Sequence, residues 1–170
     1  MPKVNLFLLL TPCLFLTQAN AHEYIPNNTP NSRYEIHDNG TVTDTHTGLM
    51  WQRCLLGTDS SANNCNGSIS QLNWQEALQA ADDSVLAGYN DWRLPNVNEL
   101  LSLVARDRMS PSINQEVFPI ASGSHWTSSP SPQDSSNSSG RSFYVNFTFG
   151  FDSTSFRNNT KWVRLVRGAQ

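Results

Sequence analysis

Two stretches of this chain place an asparagine just ahead of an apolar helical repeat and a glutamate three residues after it, which constrains the fold more than any other feature. Asn73 precedes Trp74, Ala77, Leu78 and Ala81, spaced i, i+3, i+4 and i+7, and Glu76 stands at the third helical position. Asn96 precedes Val97, Leu100, Leu101 and Val104 in the same spacing, with Glu99 in the matching place. In such a pair the asparagine oxygen accepts from the third helical N–H while the glutamate accepts from the cap's own N–H. The spacing predicts two helices, each with one apolar face that must pack on something. Pro95 lies just before the second cap, where its fixed φ and missing N–H do no harm.

Around the helices the pattern is β. Residues 41–43 and 49–51 are β-prone pieces joined by a polar turn, 44–48, that closes on glycine, a hairpin signal. His125-Trp126-Thr127 reads as a short strand. Residues 142–148 alternate, with Phe143, Val145 and Phe147 on one face and Tyr144, Asn146 and Thr148 on the other. A strand near 153–156, a polar turn at Asn158-Asn159 and a closing strand over 162–166 follow. Prolines 111, 119 and 130 punctuate the intervening stretch, and residues 128–141, dominated by Ser, Pro, Asn and Gly, are expected as a long exposed loop. Helices early and strands late give an α+β domain.

The first residues are set apart from this domain. Lys3 followed by an apolar stretch from Val4 to Leu16, then Ala19-Asn20-Ala21, reads as a signal peptide over 1–21 cleaved before His22. The stretch is shorter than the roughly 20 residues a spanning helix needs, and Pro12 before Cys13 does not suit a lipoprotein site. The expected product is exported: periplasmic, cell-surface or secreted, with no membrane span. Residues 22–33, rich in Asn and Pro, read as a linker, and 34–170 as one domain of ordinary single-core size. The net charge of -3 counts against a nucleic-acid partner, which usually attracts a basic surface. Cys54 and Cys65 survive processing, and in an oxidising compartment they are most simply a disulfide; a redox or copper-binding pair is the rival reading.

Several stretches resemble one family when taken in order. They are Thr41-Val-Thr-Asp44, Thr47-Gly-Leu-Met-Trp51, Trp74 with Ala77, Tyr89-Asn-Asp-Trp-Arg-Leu-Pro95 with Glu99-Leu100, Trp126-Thr-Ser-Ser-Pro130, Tyr144-Val-Asn-Phe147 and Val163-Arg-Leu-Val-Arg-Gly168. Each is weak alone, but the ordered set is similar to the Lcl C-terminal domain family, named for a bacterial collagen-like adhesin. The resemblance implies a C-type-lectin-like variant with two helices flanking an irregular antiparallel sheet. Trp92-Arg-Leu-Pro95 and Val163-Arg-Leu-Val-Arg167 are also similar to formylglycine-generating enzymes, whose late cysteine pair has no counterpart here; the resemblance therefore implies no enzyme. The family's namesake adhesin is associated with sulfated glycosaminoglycans and is trimeric, so a glycan ligand and a homo-oligomer are implied.

For ligand contacts the sequence nominates Trp126, Arg141, Tyr144, Arg157 and Lys161. Tyr144 is on the polar face of its strand and Trp126 precedes the serine-rich loop, while the three cations flank loops where they can pair with sulfate or carboxylate. Trp51, Trp74, Trp92 and Trp162 sit among apolar neighbours and read as core. Asn90-Asp91 resembles part of the calcium motif of lectins of the broader fold, which keeps Ca²⁺ as a candidate, although one pair falls far short of six to eight oxygens. No other metal or cofactor is expected, since the histidines lack zinc-ligand spacing. The reading is an exported, non-catalytic recognition module binding glycans. Its alternatives are a cell-envelope assembly domain with an envelope or host protein as partner and, more remotely, a thiol oxidoreductase.

Overall fold

The computed structural model describes residues 25–59, 65–132 and 140–168. The signal peptide and its cleavage site, part of the loop between the cysteines and most of the serine-rich loop lie outside the described residues. The architecture is α+β. Its order is β1 (Tyr34–Ile36), β2 (Thr41–Asp44), β3 (Leu49–Gln52), β4 (Thr58–Asp59), β5 (Asn66–Gly67), α1 (Trp74–Asp82), α2 (Val97–Leu101), β6 (Ser124–Pro130), β7 (Arg141–Asn146), β8 (Phe151–Phe156) and β9 (Val166–Gly168). The strands form not one sheet but three antiparallel ones: a four-stranded β1-β2-β3-β9, the small β4-β5 pair and a three-stranded β6-β7-β8.

Both capping boxes form. Asn73 Oδ1 accepts from the Glu76 N–H at 3.0 Å while Glu76 accepts from the Asn73 N–H at 2.9 Å, and Asn96 and Glu99 do the same at 2.9 and 2.8 Å. The second helix is shorter than its apolar repeat predicts. The Ser102 hydroxyl donates to the Glu99 carbonyl at 2.7 Å, and Leu103 and Val104 then bond three residues back, so the chain tightens and leaves the helix. Leu103 and Val104 are buried all the same.

The β6-β7-β8 sheet separates two apolar clusters, and period-two alternation decides which residue joins which. Val145 enters the cluster of Val42, Trp51, Leu100, Phe118 and Phe147. Its neighbour Tyr144 and the paired Trp126 pack instead with Ala77, Trp92, Leu94 and Leu165. Of the three residues expected to share one face, Val145 and Phe147 are fully buried and Phe143 only half-buried. The closing strand is displaced from its predicted span: β9 begins at Val166, pairs with β3 through Trp51↔Val166, and leaves Lys161 and Trp162 in isolated bridges to Leu72 and His125.

The segment read as a linker is stitched onto the domain over residues 28–33. Asn28 donates to the Val104 carbonyl at 2.8 Å and accepts from the Arg106 N–H at 2.9 Å, and the Asn114 amide donates to the Thr29 carbonyl at 2.9 Å. Arg33 then grips Asp44 with two parallel bonds, Nε to Oδ1 at 2.7 Å and Nη2 to Oδ2 at 2.5 Å. Burial alone would raise the Asp44 carboxyl, but Arg33 and the Thr47 hydroxyl outweigh it and hold the group below the usual carboxylate range. Cys54 and Cys65 are joined in a disulfide and both are fully buried.

Candidate functional site

The five side chains nominated from the sequence lie on or beside the β6-β7-β8 sheet, and strand parity divides them. In β7, Ser142 and Tyr144 share one face, while Arg141, Phe143 and Val145 share the other. Register places Trp126 beside Tyr144 and Ser155 beside Ser142, all on the first face. Arg157 joins this face through a 2.9 Å bond from its Nε to the Ser142 hydroxyl, and Lys161 joins it above Tyr144.

Each of these two cations is seated on an aromatic ring. The Arg157 guanidinium lies 4.2 Å from the centre of the Trp74 ring, and the Lys161 ammonium lies 4.1 Å from Tyr144 and 4.9 Å from Trp126. Contacts of this kind contribute about 0.5 to 2 kcal/mol, depending on how far the cation is desolvated. Burial pushes the Lys161 amine below its ordinary value. The platforms are themselves fixed: Trp74 Nε1 donates to the Thr127 carbonyl at 2.8 Å, and the Trp74 N–H donates to the Arg157 carbonyl at 2.9 Å. Gly140 closes over Arg157 from the other side. A Cβ there would sit 3.1 Å from the guanidinium, and the backbone holds φ at +51°, so glycine suits the position twice over.

Two of the nominated residues take other roles. Trp126 has none of its surface exposed and its Nε1 donates to the Leu72 carbonyl at 2.9 Å, so its ring is a buried floor beneath Lys161 and does not face a ligand. Arg141 is at the same end of the sheet as Arg157 but on the opposite face. Its Nε and Nη2 donate to the hydroxyl and carbonyl of Thr154, both at 3.2 Å, and its guanidinium lies 4.3 Å from the Phe156 ring. The three cations therefore do not form one cluster. Arg157, Lys161 and Tyr144 remain together, half-buried, with Asn159 bonded to the Ser155 hydroxyl at 2.9 Å nearby. Trp74 and Gly140 are the members that sequence reasoning missed, because a tryptophan opening an amphipathic helix reads as core and a glycine in a serine-rich stretch reads as loop.

Asp91, on which the calcium reading turned, is ion-paired. Arg167 Nε donates to its Oδ1 at 2.6 Å, and this bond with the guanidinium charge outweighs desolvation to hold the carboxyl below the usual range. Among the described residues no three of His, Cys, Asp or Glu are grouped so as to hold a metal ion. Two surface clefts stand elsewhere: one of about 370 Å³ beside Arg33 and His46, and one of about 260 Å³ between α1 and Trp92.

A family model described as the Lcl C-terminal domain matches residues 40–167, from just before β2 into β9. The chain belongs to the Lcl C-terminal domain family. The matched span of this Lcl C-terminal domain contains both helices, the disulfide and the Arg157–Lys161 face. No curated protein matches the chain. Among its described residues no helix is long and apolar enough to cross a membrane.

Proposed function

We propose that this protein is an exported, non-catalytic recognition module of adhesin-like type, a C-type-lectin-like variant that binds sulfated or carboxylated glycans on the Arg157–Lys161–Tyr144 face. One observation carries the reading: two cations stand on one sheet face, each held on a ring and still half-exposed. An anionic sugar reaching that face gains charge-assisted hydrogen bonds from a guanidinium already held in place, with the edge of Tyr144 beside it. Family membership supports the adhesin-like role, and the buried disulfide suits an oxidising compartment. The test is retention on immobilised sulfated and neutral glycans at physiological salt, with and without calcium. Retention on sulfated glycans should weaken as salt is added, disappear in the Arg157→Ala/Lys161→Ala double variant and survive Arg141→Ala. Equal retention by the double variant and the wild type would remove the site.

A second reading, a cell-envelope assembly domain, is favoured by a separate observation. Phe149 and Phe151 stack at 6.4 Å at the β7–β8 turn while 57% and 44% exposed. Loss of a specific envelope partner on Phe149→Ser, with glycan retention absent throughout, would favour it. For the remote oxidoreductase reading, the complete burial of Cys54 and Cys65 is unhelpful, since exchange requires an accessible sulfur. Mass spectrometry that found a free thiol pair after mild reduction would revive it.

A further inference from the structure

Arg164 is the most unusual residue of the interior. It has none of its surface exposed, and no carboxylate lies within ion-pair reach of it among the described residues. Its Nη1 donates to the carbonyls of Gln52 and Arg53, and its guanidinium lies 4.8 Å from the Phe118 ring. Nε and Nη2, which form the opposite edge of the guanidinium, are buried with no hydrogen-bond partner. Burial and the nearby Arg53 charge pull the group down to about 9, which still leaves it cationic at neutral pH.

The same chain shows one way in which that edge is both bonded and neutralised. Arg33 uses its Nε and Nη2 together to grip the two oxygens of Asp44. In Arg164 the identical fork is buried with no acid on it among the described residues. Leaving a guanidinium charge uncompensated in an interior costs several kcal/mol, and two carbonyl dipoles with one ring face offset only part of it. A water molecule accepting from the fork would satisfy the donors but not the charge. His125, which feels the Arg164 charge, is fully buried and neutral, so it adds no cation and supplies no anion.

We propose that the Nε/Nη2 fork of Arg164 holds a small inorganic anion of the halide class inside the fold. The surroundings restrict access to it. Phe118 and His125 are fully buried, and Gln52 and Arg53 nearly so, which leaves no mouth at these residues for a carboxylated metabolite; the ion is enclosed as the chain folds around it. An enclosed ion of this kind binds the native state alone, so it acts as a folding ligand: above its dissociation constant each tenfold rise in concentration multiplies the folding equilibrium constant by roughly tenfold.

The test uses the full chain, unfolded in urea and refolded in fluoride, chloride or bromide salts at equal ionic strength. Chloride and bromide should raise the urea midpoint with the logarithm of their concentration and fluoride should do so far less, because it holds its hydration shell more strongly. Crystals grown from the bromide-refolded protein should show an anomalous peak at the Arg164 fork. No anomalous peak there, together with midpoints identical in the three salts, would mean ordered water only and overturn the proposal. Because Arg164→Met is at risk of not folding, the decisive readouts are both made on the wild-type protein. If the variant does fold, its midpoint should be indifferent to the halide.

Discussion

Lowering the pH from 7 to 5 should remove about 2 kcal/mol of folding stability through one side chain, His125. The ring is wholly buried; its Nδ1 lies 3.2 Å from the Gly123 carbonyl, and it meets Phe147 and Trp162 edge-on at 4.9 and 5.6 Å. Burial first, and the Arg164 charge second, push its pKa down to about 3, against a small opposing effect of the Gly123 carbonyl. The unfolded chain takes up a proton near pH 6.5, and the native chain refuses it until about pH 3. Between those values the unfolded state binds one proton more, so stability is complete above pH 6.5 and declines by about 1.4 kcal/mol per unit as pH falls. Urea unfolding followed by tryptophan fluorescence between pH 7 and 5 measures this loss in a window above the carboxylate range. His125→Gln should lie below the wild type at pH 7 yet lose far less on acidification, since the other histidines are common to both proteins. Parallel pH slopes for the two would refute the buried neutral imidazole.

Other expectations concern stability alone. Replacing Cys54 and Cys65 together by serine should cost about 2 to 3 kcal/mol, read as a urea-midpoint difference that vanishes when the wild type is measured under strong reductant. Asn73→Ala and Asn96→Ala should each cost about 1 kcal/mol by the same assay, and Asp should restore much of it. Gly123→Ala should cost more than about 1 kcal/mol, because φ is +110° and the new methyl would lie 2.9 Å from the Trp162 ring; a neutral result would mean that the ring is not packed there.

What the sequence revealed was local. Both capping boxes, the β2–β3 hairpin, the alternation of β7 and the cysteine pair each depend on residues close together in the chain, and each is present in the fold. What it hid depended on partners far away. Whether Trp126 meets solvent is decided by Lys161 and Leu72, and which face Arg141 takes follows from the register of β7 against β8. Asn28 reads as linker until its bonds to Val104 and Arg106 are known. Arg164 gave no warning, because arginine is almost never fully buried without an acid and its neighbours spell an ordinary strand.

The pairing of β3 with β9 sets the timing of folding. The strand that completes the four-stranded sheet lies more than a hundred residues beyond the one it joins, so the sheet carrying Trp51 cannot close until residue 168 has been synthesised. Closing so long a loop is slow compared with forming the helices. Until then the four-stranded sheet stays open at its β3 edge, while the β2-β3 hairpin and the β6-β7-β8 sheet pair with strands nearer in the chain.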